Sequence, residues 1–317
     1  MSQFAQVLQA YRDAWSRRQV FVAIRVTLQV AAWVAIAPAI AGLVALAVSL
    51  SNQSALTDQD IARFLLTPGG FIAGIGVAAV WLVASIWGFA MMVAVYRAGP
   101  LTPWPAMVRA LVAVARRAKE LLIFAALFEL RVLAMVVPFL VVGLFVASRF
   151  MGEFDINYYL TYRPPEFLTG VAIIAVVLAV MAALLLWVLS GWALALHLVV
   201  FGDVSPRAAF GQSTQRMQGR RAALAMGLVW WLGILLALGG GLSVIAGLAF
   251  NLVPLAPGAG LKLALSLTAV IGAVWMLANL VLGAVGMGAL ARLLDGYYRD
   301  ATPLAPLPKG TGASLKA

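Results

Sequence analysis

The 317-residue chain has no cysteine, one histidine (His197) and only 10% charged residues. Without cysteine there are no disulfides, thiolate nucleophiles or cysteine-based zinc sites. A single histidine cannot assemble a metal centre, and the 11 acidic residues are scattered rather than clustered. A soluble domain carries about a quarter of its residues as charges. Here 64% are hydrophobic and the mean hydropathy is +1.02. A soluble globular enzyme is thereby excluded, and an all-α integral membrane protein is expected.

A span needs about 20 apolar residues to cross roughly 30 Å of hydrocarbon. Six segments meet that length: about 26 to 50, 70 to 96, 121 to 148, 170 to 201, 222 to 250 and 263 to 291. An even number of spans puts both termini on one side. The connections alternate in charge. Segments 1 to 25, 97 to 120 and 202 to 221, together with the C-terminal tail, hold 17 of the 22 basic residues. The opposite face holds Arg63, Arg149, Arg163 and Lys262 against Asp58, Asp60, Glu153, Asp155 and Glu166. The excess of lysine and arginine predicts that both termini are cytoplasmic, in a multi-pass membrane protein. The net charge of +11 follows the membrane segments, so anionic lipid headgroups rather than nucleic acid are the expected partner. Residues 1 to 18 are amphipathic, and the apolar run behind them is too long for a signal peptide, so the N-terminus is expected to be retained.

The same order of parts occurs three times. A basic amphipathic stretch ends in Arg17-Arg18, Arg116-Arg117 or Arg220-Arg221, and each leads into a span, an outer loop and a returning span. Three repeated helical hairpins with basic amphipathic cytoplasmic helices are therefore expected, over about 1–99, 100–205 and 206–300. At 100° per residue Arg18, Arg25 and Gln29 fall within an arc of about 40°, and Arg109, Arg116, Glu120 and Arg131 within about 60°. Such stripes cannot face lipid.

Ionisable groups inside spans are functional candidates because burying them unpaired costs several kcal/mol. Arg25, Arg131 and Glu129 qualify, either as a cytoplasm-side anion pocket or as arginines snorkelling to phosphates with Glu129 paired across helices. His197 reads more readily as a packed or interfacial side chain than as a proton relay. In the second outer loop, Asp155, Asn157, Tyr158, Tyr159, Arg163 and Glu166 combine a helix cap, interfacial aromatics and a guanidinium. This set suits either a phosphodiester headgroup or an aromatic belt around a structural cap. The proline pair Pro164-Pro165 disfavours helix at Arg163.

The stretch from Asp155 to Phe167, with Thr57 to Gly70 and Gly202 to Phe210 running into Gln218 to Arg221, resembles the membrane domain attached to bacterial glycerophosphodiester phosphodiesterases. The resemblance covers almost the whole chain. In that family a separate TIM-barrel domain hydrolyses the substrate, using a His-Arg-Gly strand end, a glutamate and a second histidine around a divalent metal. This chain has no His-Arg-Gly and no second histidine, so no catalytic residue carries over, and no metal or cofactor is expected for this chain alone. The resemblance implies a domain that binds or presents glycerophospholipid-derived phosphodiesters for a phosphodiesterase domain in cis or in trans, or that anchors one. Residues 301–317, rich in proline and glycine, read as a flexible tail or linker. Glycine-rich spans and intramembrane charges also suit a transporter or flippase-like protein for a lipid or small anion, and a plain membrane anchor is the third class.

Overall fold

The computed structural model describes residues 2–51, 67–98, 102–152, 156–253 and 260–301. Among them the fold is all-α. Eleven helices follow in order: α1 (Gln3–Ser16), α2 (Arg18–Ser51), α3 (Pro68–Arg97), α4 (Pro103–Ala115), α5 (Ala118–Phe150), α6 (Ile156–Tyr162), α7 (Pro165–Trp192), α8 (Ala195–Phe201), α9 (Pro206–Arg216), α10 (Arg221–Leu252) and α11 (Leu261–Ala301). Among the described residues, five stretches are long and apolar enough to cross a membrane: α3, α5, α7 continuing into α8, α10 and α11. The chain is thus a multi-pass helical membrane protein. The segment expected to span at 26 to 50 lies within α2, several of whose later side chains are outside the described residues.

Local chemistry explains the helix boundaries. Ser2 and Thr67 cap α1 and α3 by accepting from Ala5 N and Gly70 N, satisfying amides that have no partner within the helix. Proline opens α3, α4, α7 and α9, where its missing N–H costs nothing. All three arginine pairs sit at corners: Arg17 ends α1 and Arg18 starts α2, Arg116 and Arg117 separate α4 from α5, and Arg220 and Arg221 lead into α10. The corner at Arg116 and Arg117 corrects one expectation. Arg109 and Arg131 lie on different helices, so the stripe projected across them does not exist; only Glu120 and Arg131 of that set share α5.

The apolar run of the fourth expected span is also broken, at Ala193 and Leu194. Buried Ser213 of α9 fills the gap: its Oγ accepts from Leu194 N at 3.1 Å and donates to Gly191 O at 2.7 Å. Two backbone groups freed by the break are thereby satisfied in a buried setting.

Packing is cyclic. The long helices pair within hairpins, α2 with α3, α5 with α7 and α10 with α11, and between hairpins, α3 with α5, α7 with α10 and α11 with α2. Each short helix packs on the hairpin before it in this cycle: α4 on α2 and α3, α9 on α5, α7 and α8, and α1 on α10 and α11. The first helix therefore closes on the last hairpin. Nearly all fully buried side chains lie at the end where the short helices sit, among them Phe21, Ile24, Val93, Leu121, Leu194, Leu198 and Leu224. The other halves of the long helices expose leucine and valine. A bilayer covers such surfaces as well as protein does, so no hydrophobic force draws them together.

Close contacts fix the helix pairs. Trp231 Nε1 donates to Gly286 O at 2.7 Å and Tyr11 Oη donates to Trp231 O at 3.0 Å, tying α1, α10 and α11 into one joint. Burial pushes the Tyr11 hydroxyl up to about 12, since a phenolate there has little water around it.

Candidate functional site

Arg25 lies on α2 beside a cavity of about 210 Å³ that Gln29, Ser85 and apolar side chains of α2, α3 and α11 complete. Its guanidinium rests against Gly283: a Cβ there would stand 2.9 Å from Arg25 Cζ. Arg25 Nε is buried without a hydrogen-bond partner. Next to this cavity is a larger apolar chamber of about 650 Å³, lined by side chains of α3, α5, α7, α8, α10 and α11, including Phe124, Phe128, Trp192 and Leu290. The two share Ser85, Phe89 and Met287.

Arg131 does not join Arg25. Its Nη1 donates to Leu127 O at 3.1 Å and its guanidinium lies 4.2 Å over the Phe210 ring. The side chain thus folds back toward the buried end, a charge held by a carbonyl and a ring face. Phe210 in turn stacks on Phe124 at 4.9 Å and meets Trp192 edge-on at 5.2 Å, so Arg131 backs onto the aromatic floor of the chamber. Glu129 is half-buried and forms no ion pair among the described residues.

In the connection between α5 and α7, Asp155 lies outside the described residues, as does the side chain of Asn157. Tyr158 packs on Tyr159 and Tyr162 at 5.7 and 5.0 Å, and Tyr159 stacks on Phe167 at 5.2 Å. Arg163 follows α6 in a left-handed conformation, φ 47°, with Nε donating to Leu160 O at 3.3 Å. Pro164 explains the break, because it disfavours helix at the residue before it. Arg163 and Glu166 are both exposed.

Most polar contacts gather at the opposite end. Asp295 on α11 has no exposed surface and takes Arg97 Nε and Nη2 at 3.1 and 3.0 Å and Arg299 Nη2 at 2.7 Å. Arg97 also lies over Phe201 and Tyr298, at 3.9 and 4.8 Å. His197 is buried in the same place, stacked on Tyr298 at 5.4 Å, with neither ring nitrogen hydrogen-bonded. Nearby Asp13 accepts from Arg292 Nε at 2.9 Å, Arg17 Nη1 donates to Val95 O at 2.9 Å, and Tyr96 Oη donates to Gly288 O at 3.2 Å. Arg117 pairs with Asp203, joining the second corner to the approach of α9. The sequence reading did not single out Asp295, Arg97 or Asp13. Their partners lie 198 and 279 positions apart, and a carboxylate among the basic residues after the last span was the available signal.

No group of three or more His, Cys, Asp or Glu side chains able to hold a metal occurs among the described residues. What remains is a charged network at one end, apolar cavities between long helices and a bundle built for lipid. Fold and site together define a multi-pass membrane domain. The chain belongs to the family of membrane domains of glycerophosphoryl diester phosphodiesterase, whose family model matches residues 8–299. No curated protein and no solved structure matches it significantly.

Proposed function

We propose that this domain binds glycerophospholipid-derived phosphodiesters within the membrane and presents them to a phosphodiesterase domain, in cis or in trans, which it also anchors. In this reading six spans form three repeated hairpins in the bacterial inner membrane, and α2 is the first of them. The termini and the amphipathic helices α1, α4 and α9 face the cytoplasm. The cyclic packing supports the repeat, and the 17 basic residues against 4 support the orientation. Exposed Phe4, Trp15 and Trp104 on α1 and α4 suit helices lying in the interface.

One observation carries the ligand. A cavity holding the unpartnered Nε of Arg25 adjoins an apolar chamber of about 650 Å³, within the 300 to 1,000 Å³ usual for ligand pockets. A guanidinium beside an apolar chamber matches an amphiphile with a phosphodiester head and an acyl chain. The intramembrane charge then has an anionic partner rather than none.

Native mass spectrometry of the purified chain tests this. The wild type is expected to retain a phospholipid or lysophospholipid, and Arg25→Gln to retain roughly tenfold less while unfolding at a similar temperature, the loss of a charge-assisted contact. A wild type with no bound lipid overturns the reading. Lipid flux across liposomes without retention replaces it with the transporter.

A further inference from the structure

A further cavity lies at the charged end and shares no residue with the apolar chamber or the Arg25 cavity. It measures about 300 Å³ and is lined by Asp13, Ser16, Arg17, Tyr96, Arg292 and Arg299, from α1, the α1–α2 corner, α3 and α11. We propose that it is an anion site for a phosphate ester at headgroup depth. The proposal is independent of the intramembrane reading, since it rests on other residues and another face of the fold.

Charge and geometry point the same way. The network contains four guanidiniums, Arg17, Arg97, Arg292 and Arg299, and two carboxylates, Asp13 and Asp295. Two positive charges are left over. Arg17 is held by a neutral carbonyl and by the Tyr96 ring 5.0 Å away, with no carboxylate of its own among the described residues. Arg292 is fixed by Asp13 through Nε, and Arg299 by Asp295 through one Nη. Each guanidinium carries five N–H donors, so three forks line the cavity with donors to spare. The Ser16 and Tyr96 hydroxyls give their protons to Asp13 O and Gly288 O, leaving the arginines as its donors. Planar forks held in place match the oxygens of a phosphate.

The depth follows from α1. Trp15 is 54% exposed and carries the Arg18 guanidinium over its ring at 5.0 Å, next to Ser16 and Arg17 of the cavity. An exposed tryptophan flanked by arginines marks the headgroup layer. The phosphate ester belongs either to an anionic lipid or to a soluble phosphate compound, and the chemistry that binds it is the same.

The test uses the full chain in phosphatidylcholine nanodiscs, with and without phosphatidylglycerol, and with glycerol 3-phosphate against chloride at matched ionic strength. Thermal unfolding is the readout. Phosphatidylglycerol, glycerol 3-phosphate or both should raise the unfolding temperature of the wild type; whichever does so identifies the source. Arg17→Gln should lose that increase while unfolding normally in phosphatidylcholine alone, because no carboxylate is orphaned, and Arg17→Lys should keep part of it. Should Arg17→Gln fail to fold, Arg299→Gln serves instead, since Arg97 still neutralises Asp295. A response no larger than that to chloride, or one unchanged in the variant, overturns the site.

Discussion

Asp295 is buried among Arg97, Arg299, His197 and Tyr298, and its carboxylate holds the end of α11 against the end of α3. Removing its charge leaves two guanidiniums around a neutral side chain. Asp295→Asn is expected to cost about 2 to 3 kcal/mol, below the 3 to 5 typical of a fully buried pair because Arg97 is 26% exposed. Thermal unfolding in detergent measures it. Adding Arg97→Gln should recover part of the loss, since an orphaned charge is worse than a missing pair; a strictly additive double variant would contradict the pairing. The inward turn of Asp295 was illegible in the sequence for a plain reason. Asp295 stands among the cationic residues after the last span, and nothing local says that it turns inward. Arg25, by contrast, stood out because a charge inside an apolar run must be explained wherever the chain folds.

At the scale of the element, glycines decide how closely helices approach. A Cβ at Gly288 would lie 2.5 Å from the Phe21 ring, which is fully buried and has no room to move. Gly288→Ala should therefore destabilise the α2–α11 joint by about 1 to 3 kcal/mol, the usual cost of overpacking. Gly240, in the middle of α10, has nothing within 4 Å of the same atom. Gly240→Ala is expected to be neutral or to stabilise by up to about 1 kcal/mol through helix propensity. Unfolding of the two variants in parallel checks the pair, and equal effects would show that contact is not what separates them. Both glycines look alike in sequence, each in a small-residue stretch of an apolar helix. The break between α7 and α8 was hidden in the same way: its apolar residues read as one span, and Ser213, which fills it, comes from another hairpin.

The whole molecule is a cycle of hairpins in which each short helix covers the preceding one, and α1 covers the last. The first and last described helices are therefore neighbours at one end, as Arg292–Asp13 and Tyr297–Gln3 record. Orientation is checked by labelling. A cysteine at Glu166 is expected to react with an impermeant thiol reagent in intact cells, and one at Gln215 to react only after the membrane is opened. The reverse pattern would refute the cytoplasmic placement of the basic end.

Composition alone determined that this is a helical, multi-pass membrane chain, because 64% hydrophobic residues in runs of 20 or more have no other stable home. The family was likewise legible in the sequence, where a resemblance centred on Asp155 to Phe167 pointed to it, and the family model matches residues 8–299. Helix pairing, the corners at the arginine pairs and the inward turn of Asp295 were decided only in three dimensions. Lipid exposure and helix contact select nearly the same residue types in a membrane, so hydropathy marks where a span lies but not which face meets which neighbour. Ion pairs between Arg97 and Asp295 or between Asp13 and Arg292 depend on that choice, and they form only once the hairpins have closed into their cycle.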